Sequence, residues 1–254
     1  MVKKESLLFA DIGNSRTKLF KDGIKTPFNY KHSDFAESLS SYLSLESFTK
    51  VIYSSVNVNA ENIFLSIVRN KKVYEFVNVR DLLPAQNLID LSQVEGMGND
   101  RWLGMMGATS FGAPPLITVD CGTAVTVNVI DYKYTVIGGA IFAGIYTQKN
   151  ALASISEKLG FPKLNFSPSG AGRDTASALS LGMVGGVAGG IRLIIEHITE
   201  TSRLEKPSIY FTGGYGGKIL KMLEKIFPDA IYDENLVFRG MAKIYENTRN
   251  HNQV

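Results

Sequence analysis

The chain reads as an α/β protein of two related lobes, each a mixed sheet flanked by helices. Three observations predict this. An order of elements β-β-β-α-β-α occurs twice, a short Asp-x-Gly motif stands at the matching place in each copy, and two prolines punctuate the middle of the chain. In the first copy Leu7–Ala10 is a short apolar strand, Thr17–Lys21 alternates around Leu19 and Phe20, and Asp22-Gly23 is a hairpin-turn pair leading into Ile24–Tyr30. Ser33–Ser47 carries Phe35, Leu39 and Leu43 at helical spacing, Val51–Val56 is a β-branched strand, Ala60–Arg69 a helix and Val73–Val77 a strand. In the second copy Leu116–Val119 and Ala124–Ile130 are strands, Asp131–Lys133 turns, and Tyr134–Ile137 begins a third strand. Helical patterns follow over 147–159 and 176–200, then a strand at Ser208–Phe211 and helices over 216–226 and 238–248. The lobes are expected to meet near Ala113-Pro114-Pro115, giving residues 1–115 and 116–254.

Composition narrows the function. Of 254 residues, 44% are hydrophobic and 20% charged, which excludes disorder as the main state. A net charge of +3, with no Lys/Arg block longer than two residues, argues against a nucleic-acid surface. The start Met-Val-Lys-Lys precedes an apolar run that Asp11 stops, too short for a signal peptide, and no stretch is read as a membrane span. One cysteine fits a reducing cytoplasm, and three scattered histidines (His32, His197, His251) make a histidine-built zinc site a poor expectation.

The internal repeat carries chemistry. Asp11-Ile12-Gly13-Asn14-Ser15-Arg16-Thr17 and Asp120-Cys121-Gly122-Thr123-Ala124-Val125-Thr126 share the pattern Asp-x-Gly-(Asn/Thr)-x-x-Thr, each ending one strand and opening the turn to the next. Glycine permits a tight turn whose N–H groups point at an anion, the hydroxyl and amide side chains add donors, and an aspartate at a strand's carboxyl end can hold magnesium or another cation near phosphates. Either motif alone is equally an ordinary β-turn. Two facing copies fit a nucleotide held in a cleft between lobes. Thr212-Gly213-Gly214, after a strand, adds a place where a base or ribose could approach the backbone, or is a plain strand-to-helix turn. Gly217-Lys218 precedes Ile219 and is not a Walker A loop, and Gly170-Ala171-Gly172 follows no clear strand, so a Rossmann fingerprint is not supported. Asp100-Arg101 reads on spacing alone as the capped start of a helix over Arg101–Ser110.

Together these residues resemble one family. The segment from Asp11 to Lys18 resembles the first phosphate motif of the acetate/sugar kinase and actin superfamily. Gly98-Asn99-Asp100-Arg101 resembles the Gly-x-Asp-Arg signature of type III pantothenate kinases, and the segment from Asp120 to Thr126 their second phosphate motif. Gly138–Ile145 resembles their Gly-Gly-x-Ile-x-Pro-Gly stretch, and Thr212-Gly213-Gly214 their adenosine motif. The resemblance implies two ribonuclease-H-like lobes, as in actin-like ATPases, and ATP-dependent phosphorylation of pantothenate, the first step of coenzyme A synthesis. It also implies a homodimer, Mg2+ with the ATP, and a monovalent cation, K+ or NH4+. Asp100 would be the general base. Gly98, Asn99, Arg101 and Thr175 would join it around pantothenate, with Arg101 on the carboxylate. Asp11, Ile12, Gly13, Asn14, Ser15, Arg16, Thr17, Lys18, Thr123, Gly213 and Gly214 would hold ATP, Asp11 also facing magnesium and Asp120 the monovalent cation. The chemistry agrees, since phosphoryl transfer needs positioning, charge neutralisation and a carboxylate within reach of the attacking hydroxyl. Arginine can hold a carboxylate with two parallel hydrogen bonds.

Several residues depart from the family pattern. Asn99 stands where a small residue is common, with a side chain that could enter the pocket; Ala143 replaces a proline, which would loosen the loop after Gly139; Arg173-Asp174 is an uncommon charge pair before Thr175; and residues 86–97 show no clear aromatic for the substrate site. These bear on substrate choice, leaving open a kinase for another small hydroxy acid. The Gly-Asn-Asp-Arg-Trp form also resembles the Bvg accessory factor branch, which leaves open a non-catalytic regulator. Cys121 reads as a buried small residue rather than a nucleophile, Trp102 as a core or interface anchor, and the glycine-rich run 182–190 as a helix packed closely within its lobe or against a second subunit.

Overall fold

The computed structural model describes residues 6–30, 34–71, 73–156, 159 and 163–251. The basic start Met1–Lys4, His32, Ser33, residues 157 and 158 of an expected helix, and the tail 252–254 lie outside them. The chain forms two compact units. The first comprises residues 1–89, 96–107 and 235–254; the second comprises 90–95 and 108–234. They are therefore not the two consecutive halves expected from the proline pair. Helix-forming residues 236–251 return to the first unit.

The first unit is built on β1 (Leu7–Ile12), β2 (Arg16–Lys21), β3 (Ile24–Asn29), β4 (Lys50–Ser55) and β5 (Glu75–Asn78), in the order β3-β2-β1-β4-β5. The first three strands are antiparallel neighbours, whereas β4 and β5 run parallel to β1. Asp22 (φ 50°) and Gly23 (φ 85°) make the tight hairpin turn that the dipeptide predicted. Because strand residues alternate faces, Leu8, Ala10, Ile12, Leu19 and Val51 point one way. There they meet Phe35, Leu39 and Leu43 of α1 (Phe35–Leu45) and Ala60, Phe64 and Val68 of α2 (Val58–Arg69) in one buried cluster. Asn57 caps α2 by accepting the Ala60 N–H at 3.1 Å. After β5 comes a short helix not foreseen from the sequence, α3 (Val79–Leu82), and then α4 (Asn99–Ala108).

The final helix of the chain, α9 (Leu236–His251), packs on the opposite face of this sheet; Phe238 stacks on Phe20 with ring centroids 5.1 Å apart. Its crossing with α4 is set by a reciprocal pair of glycines. A Cβ on Gly240 would land on the carbonyl of Leu103, and a Cβ on Gly107 would land on the carbonyl of Leu236. Two helix backbones come this close only where neither carries a side chain, and that contact seats α9 in the first unit.

The second unit repeats the topology with β6 (Leu116–Cys121), β7 (Ala124–Ile130), β8 (Val136–Ala143), β9 (Ser208–Thr212) and β10 (Ile231–Tyr232), in the order β10-β9-β6-β7-β8. Tyr134, at φ 63°, belongs to the turn, so β8 starts later than expected and runs on through Ala143. Between β8 and β9 lie α5 (Ile145–Ile155), α6 (Thr175–Ser180) and α7 (Gly186–Thr201); α8 (Gly216–Leu223) follows β9. The expected single helix over 176–200 contains a π turn at Leu181–Gly185. Val187, Ile191 and Ile195 of α7 and Ile219 and Leu223 of α8 bury the apolar sheet face formed by Ile117, Val119, Val125, Val127 and Phe211. The run Thr175–Thr201 corrects one expectation. It is long and apolar enough to cross a membrane by length and composition, with mean hydropathy 1.8 and 39% of its most apolar window buried in the protein.

The glycine crossing is directly testable. Gly240→Ala is expected to lower stability in urea unfolding by about 2 kcal/mol, the overpacking cost exceeding the gain in helix propensity. In Gly104→Ala, on the same α4 but with open space at the new methyl, the protein should be unchanged or slightly more stable.

Candidate active site

In the first unit the site begins with Asp11, the penultimate residue of β1. It is buried, 6% exposed, and faces Lys18 directly across the β1–β2 ladder, Nζ to Oδ2 at 2.9 Å. On its other side, in the parallel register with β4, stands the buried Ser54. The turn between the strands is closed by the Gly13 N–H donating to the Arg16 carbonyl at 3.1 Å. Tyr30 braces it twice, its N–H to the Ser15 carbonyl at 3.2 Å and its hydroxyl within 2.9 Å of Thr17 Oγ1. The eight residues expected around ATP therefore divide. Asn14 and Arg16 are exposed and Lys18 half-buried, with Ser15 in the same turn. The side chains of Ile12 and Thr17 point inward instead, Ile12 into the core and Thr17 onto Tyr30, while the Ile12 carbonyl accepts the Val56 N–H at 3.0 Å. Thr17 supports the turn from beneath.

Asp100 lies in the first turn of α4. Its Oδ1 accepts the Arg101 N–H at 2.9 Å, and Gly98 leaves it room, since a Cβ there would sit 2.8 Å from that oxygen. The side chain reaches solvent, yet enough protein surrounds it for desolvation to push its pKa up; the nearby Asp11 carboxylate adds to the rise, against the Arg101 N–H and the charges of Lys18 and Arg101. Arg101 is half-buried beside it, its pKa drawn down by desolvation against the pull of Asp100. Asn99 corrects the expectation that it enters the pocket. Its side chain is buried and accepts from Arg80, Nη2 at 3.2 Å, while its Nδ2 lies 3.5 Å from the Ser55 carbonyl.

In the second unit Asp120 is again the penultimate residue of its strand, opposite Thr126 on β7 and beside Thr212 on β9. Thr126 thus occupies the place of Lys18, and Thr212 that of Ser54. The motif threonines Thr17 and Thr126 match by spacing but not by register, because the second turn is one residue shorter: Ile12 pairs with Thr17, and Cys121 with Val125. Thr123 projects from that turn, exposed, while its carbonyl accepts from the Gly144 N–H at 3.0 Å and from Thr147 Oγ1 at 2.6 Å. Gly144 caps α5, and a Cβ there would strike the carbonyls of Gly122 and Thr123. Ala143 does not loosen a loop: it ends β8 opposite Ala124, and Gln148 donates to its carbonyl at 2.8 Å.

Gly213, at φ 83°, closes over the same carboxylate, and a Cβ on it would run into Asp120 Oδ1. The Tyr232 hydroxyl donates to the Gly213 carbonyl at 3.2 Å, and its ring lies against Gly216 and Gly217. Thr175 opens α6 behind Asp174, whose side chain accepts the Ser177 N–H at 2.8 Å in a reciprocal capping box. The hydrogen bonds from Ser177, its backbone N–H first and then its side chain, lower the pKa of Asp174. Cys121 is a core residue with its thiol pKa raised by burial, and Trp102 is fully buried. Ser54, Tyr30, Arg80 and Tyr232 were not foreseen. Only the strand register, or a contact distant in sequence, brings each beside the motif of its own unit.

A profile of the type III pantothenate kinase family matches residues 7–197. A protein of that name from Thermosipho africanus is 33% identical, over 95% of this chain and 98% of its own. The chain belongs to the type III pantothenate kinase family. Among solved structures, one from Campylobacter jejuni, described as a transcriptional activator of the Baf family, is 27% identical, covering 96% of this chain and 99% of its own at a TM-score of 0.64. The ADPNP-bound activator of 2-hydroxyisocaproyl-CoA dehydratase from Clostridium difficile, 12% identical with a TM-score of 0.52 over 98% of both chains, shares the fold alone. The fold is thus of the expected α/β class, with two mixed sheets flanked by helices.

Because its native pKa is raised, Asp100 binds its proton more tightly in the folded kinase than in the unfolded chain, so its ionised form opposes folding at neutral pH. Asp100→Asn should therefore raise the melting temperature at about pH 7, and the gain should shrink as the pH approaches about 4, the ordinary aspartate range.

Proposed function

We propose that this kinase transfers the terminal phosphoryl group of ATP to the hydroxyl of pantothenate, giving 4'-phosphopantothenate and ADP, with Asp100 as the general base. The observation that carries the reading is the pair Asp100-Arg101 at the start of α4: a carboxyl whose pKa is raised by desolvation and then by the nearby Asp11, next to a half-buried guanidinium. A raised pKa makes ionised Asp100 a better proton acceptor near neutral pH. Asp100 takes the proton as the hydroxyl oxygen bonds to the γ-phosphorus and the bond to the bridging oxygen of ADP breaks. Arg101 grips the substrate carboxylate, with Gly98 leaving space and Thr175 contributing from α6. Lys18 and the donors of the turn Gly13–Arg16 neutralise and orient the phosphates, with Thr123 adding a hydroxyl. Gly213 and Gly214 present backbone to the nucleoside.

Among the described residues no group of three or more acidic, histidine or cysteine side chains forms a ready-made metal cage. The donors present fit magnesium bound largely through ATP oxygens, with Asp11 as the protein carboxylate. When bound, Mg2+ supplies charge neutralisation on those oxygens. Asp120, under the glycine lid of Gly213, is the hard oxygen donor that fits K+ or NH4+. Around Gly182, Gly186 and Gly189 there is open space, so close packing within the unit does not explain these glycines. The homodimer uses this helix face. The cytoplasm, where ATP is made available, is the site of action.

ADP release should depend on both pantothenate and a monovalent cation, and Asp100→Asn should lower kcat by about 10²–10⁴-fold, the usual worth of a general base. ATP binding without pantothenate-dependent ADP release by the wild type would overturn the substrate and favour a regulatory protein.

A further inference from the structure

We propose that Asn99 and Arg80 are positioning residues for Asp100, forming a clamp around the buried Asn99 amide that fixes the first turn of α4. The proposal rests on Asp100 being the base.

Asn99 is the first helical residue of α4, after Gly98, and its side chain bonds outside the helix. Its Oδ1 accepts both Nε and Nη2 of Arg80, at 3.4 and 3.2 Å, and its Nδ2 reaches toward the Ser55 carbonyl at 3.5 Å. The amide is 2% exposed, so losing Arg80 would leave a buried acceptor unsatisfied.

Both anchors are themselves held. The Arg80 N–H donates to Asn78 Oδ1 at 3.0 Å at the end of β5. Ser55 ends β4, where its hydroxyl bonds the backbone of Asn57 and the next N–H, that of Val56, donates to the Ile12 carbonyl. Ile12 follows Asp11. The clamp therefore fixes the base relative to the strand end that carries the neighbouring carboxylate. The charges that act on Asp100 are those of Asp11, Lys18 and Arg101, so Arg80 works by geometry.

The test is a double-mutant cycle of Asn99→Ala and Arg80→Ala on the full chain, with folding checked by circular dichroism. Each single variant should lose about tenfold or more in kcat, since ångström-scale misplacement costs up to about 10²-fold, with KM for pantothenate and ATP little changed. The double variant should lose no more than the worse single. Arg80→Lys, which can still donate to Oδ1, should recover part of the rate. The acid limb of the kcat/KM profile should move to lower pH in Asn99→Ala as Asp100 drifts from Asp11. Singles with wild-type kcat, or losses that multiply in the double variant, would overturn the clamp. Should Asn99→Ala fail to fold, Arg80→Ala and Arg80→Lys at the exposed arginine decide it alone. Asp100→Asn separates the two readings: if that variant stays active the base assignment fails, and if it is dead while the clamp variants are unimpaired only the clamp fails.

Discussion

A carboxylate buried at the carboxyl end of a central strand is costly unless something opposite it carries positive charge or hydrogen bonds. In the first unit Lys18 supplies that charge across a single rung of the ladder, and the geometry around it follows. Lys18 must stand opposite Asp11, which fixes the β1–β2 register. The register fixes the four-residue turn, and Tyr30 then braces that turn from β3's end. The charge that Lys18 does not fully cancel reaches Asp100 and helps raise its pKa. One ion pair thus links the β1–β2 turn to the carboxyl of Asp100.

In the second unit the rung opposite the carboxylate holds no lysine. Thr126 takes the opposing place, and Gly213 closes over the carboxylate so tightly that no other residue fits there without displacement. The first carboxylate meets a paired ammonium, the second a threonine rung and a close glycine. The two copies of the motif have diverged in how each carboxylate is compensated, while the strand order around them is unchanged.

Much of this was legible in the sequence. Periodicity located nearly every strand and helix, and the repeated motif announced two sheets of like topology. What remained hidden was whatever depends on register or on contacts distant in sequence. Spacing equates Thr17 with Thr126, yet a turn shorter by one residue buries the first and sets the second beside Asp120. Residues that depart from the family pattern looked like changes to the substrate pocket. Asn99, Ala143 and Asp174 instead are a buried partner of Arg80, a strand end and a helix cap, each spent on backbone or on a neighbouring side chain. A single sequence shows that a residue is unusual, and only its partners show whether the difference faces substrate or scaffold.

The return of α9 has a consequence for how the site is assembled. Helix α4 carries Asp100 at its first turn, and its glycine face is covered by a helix more than a hundred residues later in the chain. Contacts so distant in sequence form late, because the loop entropy has to be met first. During synthesis the N-terminal sheet can pair its own strands and gather α1 and α2 well before residues 236–251 exist. Its opposite face, with Phe20 awaiting Phe238, stays uncovered until they emerge. The first unit can therefore form the turn between Asp11 and Lys18 early, but the helix that bears Asp100 is locked in place only once residues 236–251 have emerged.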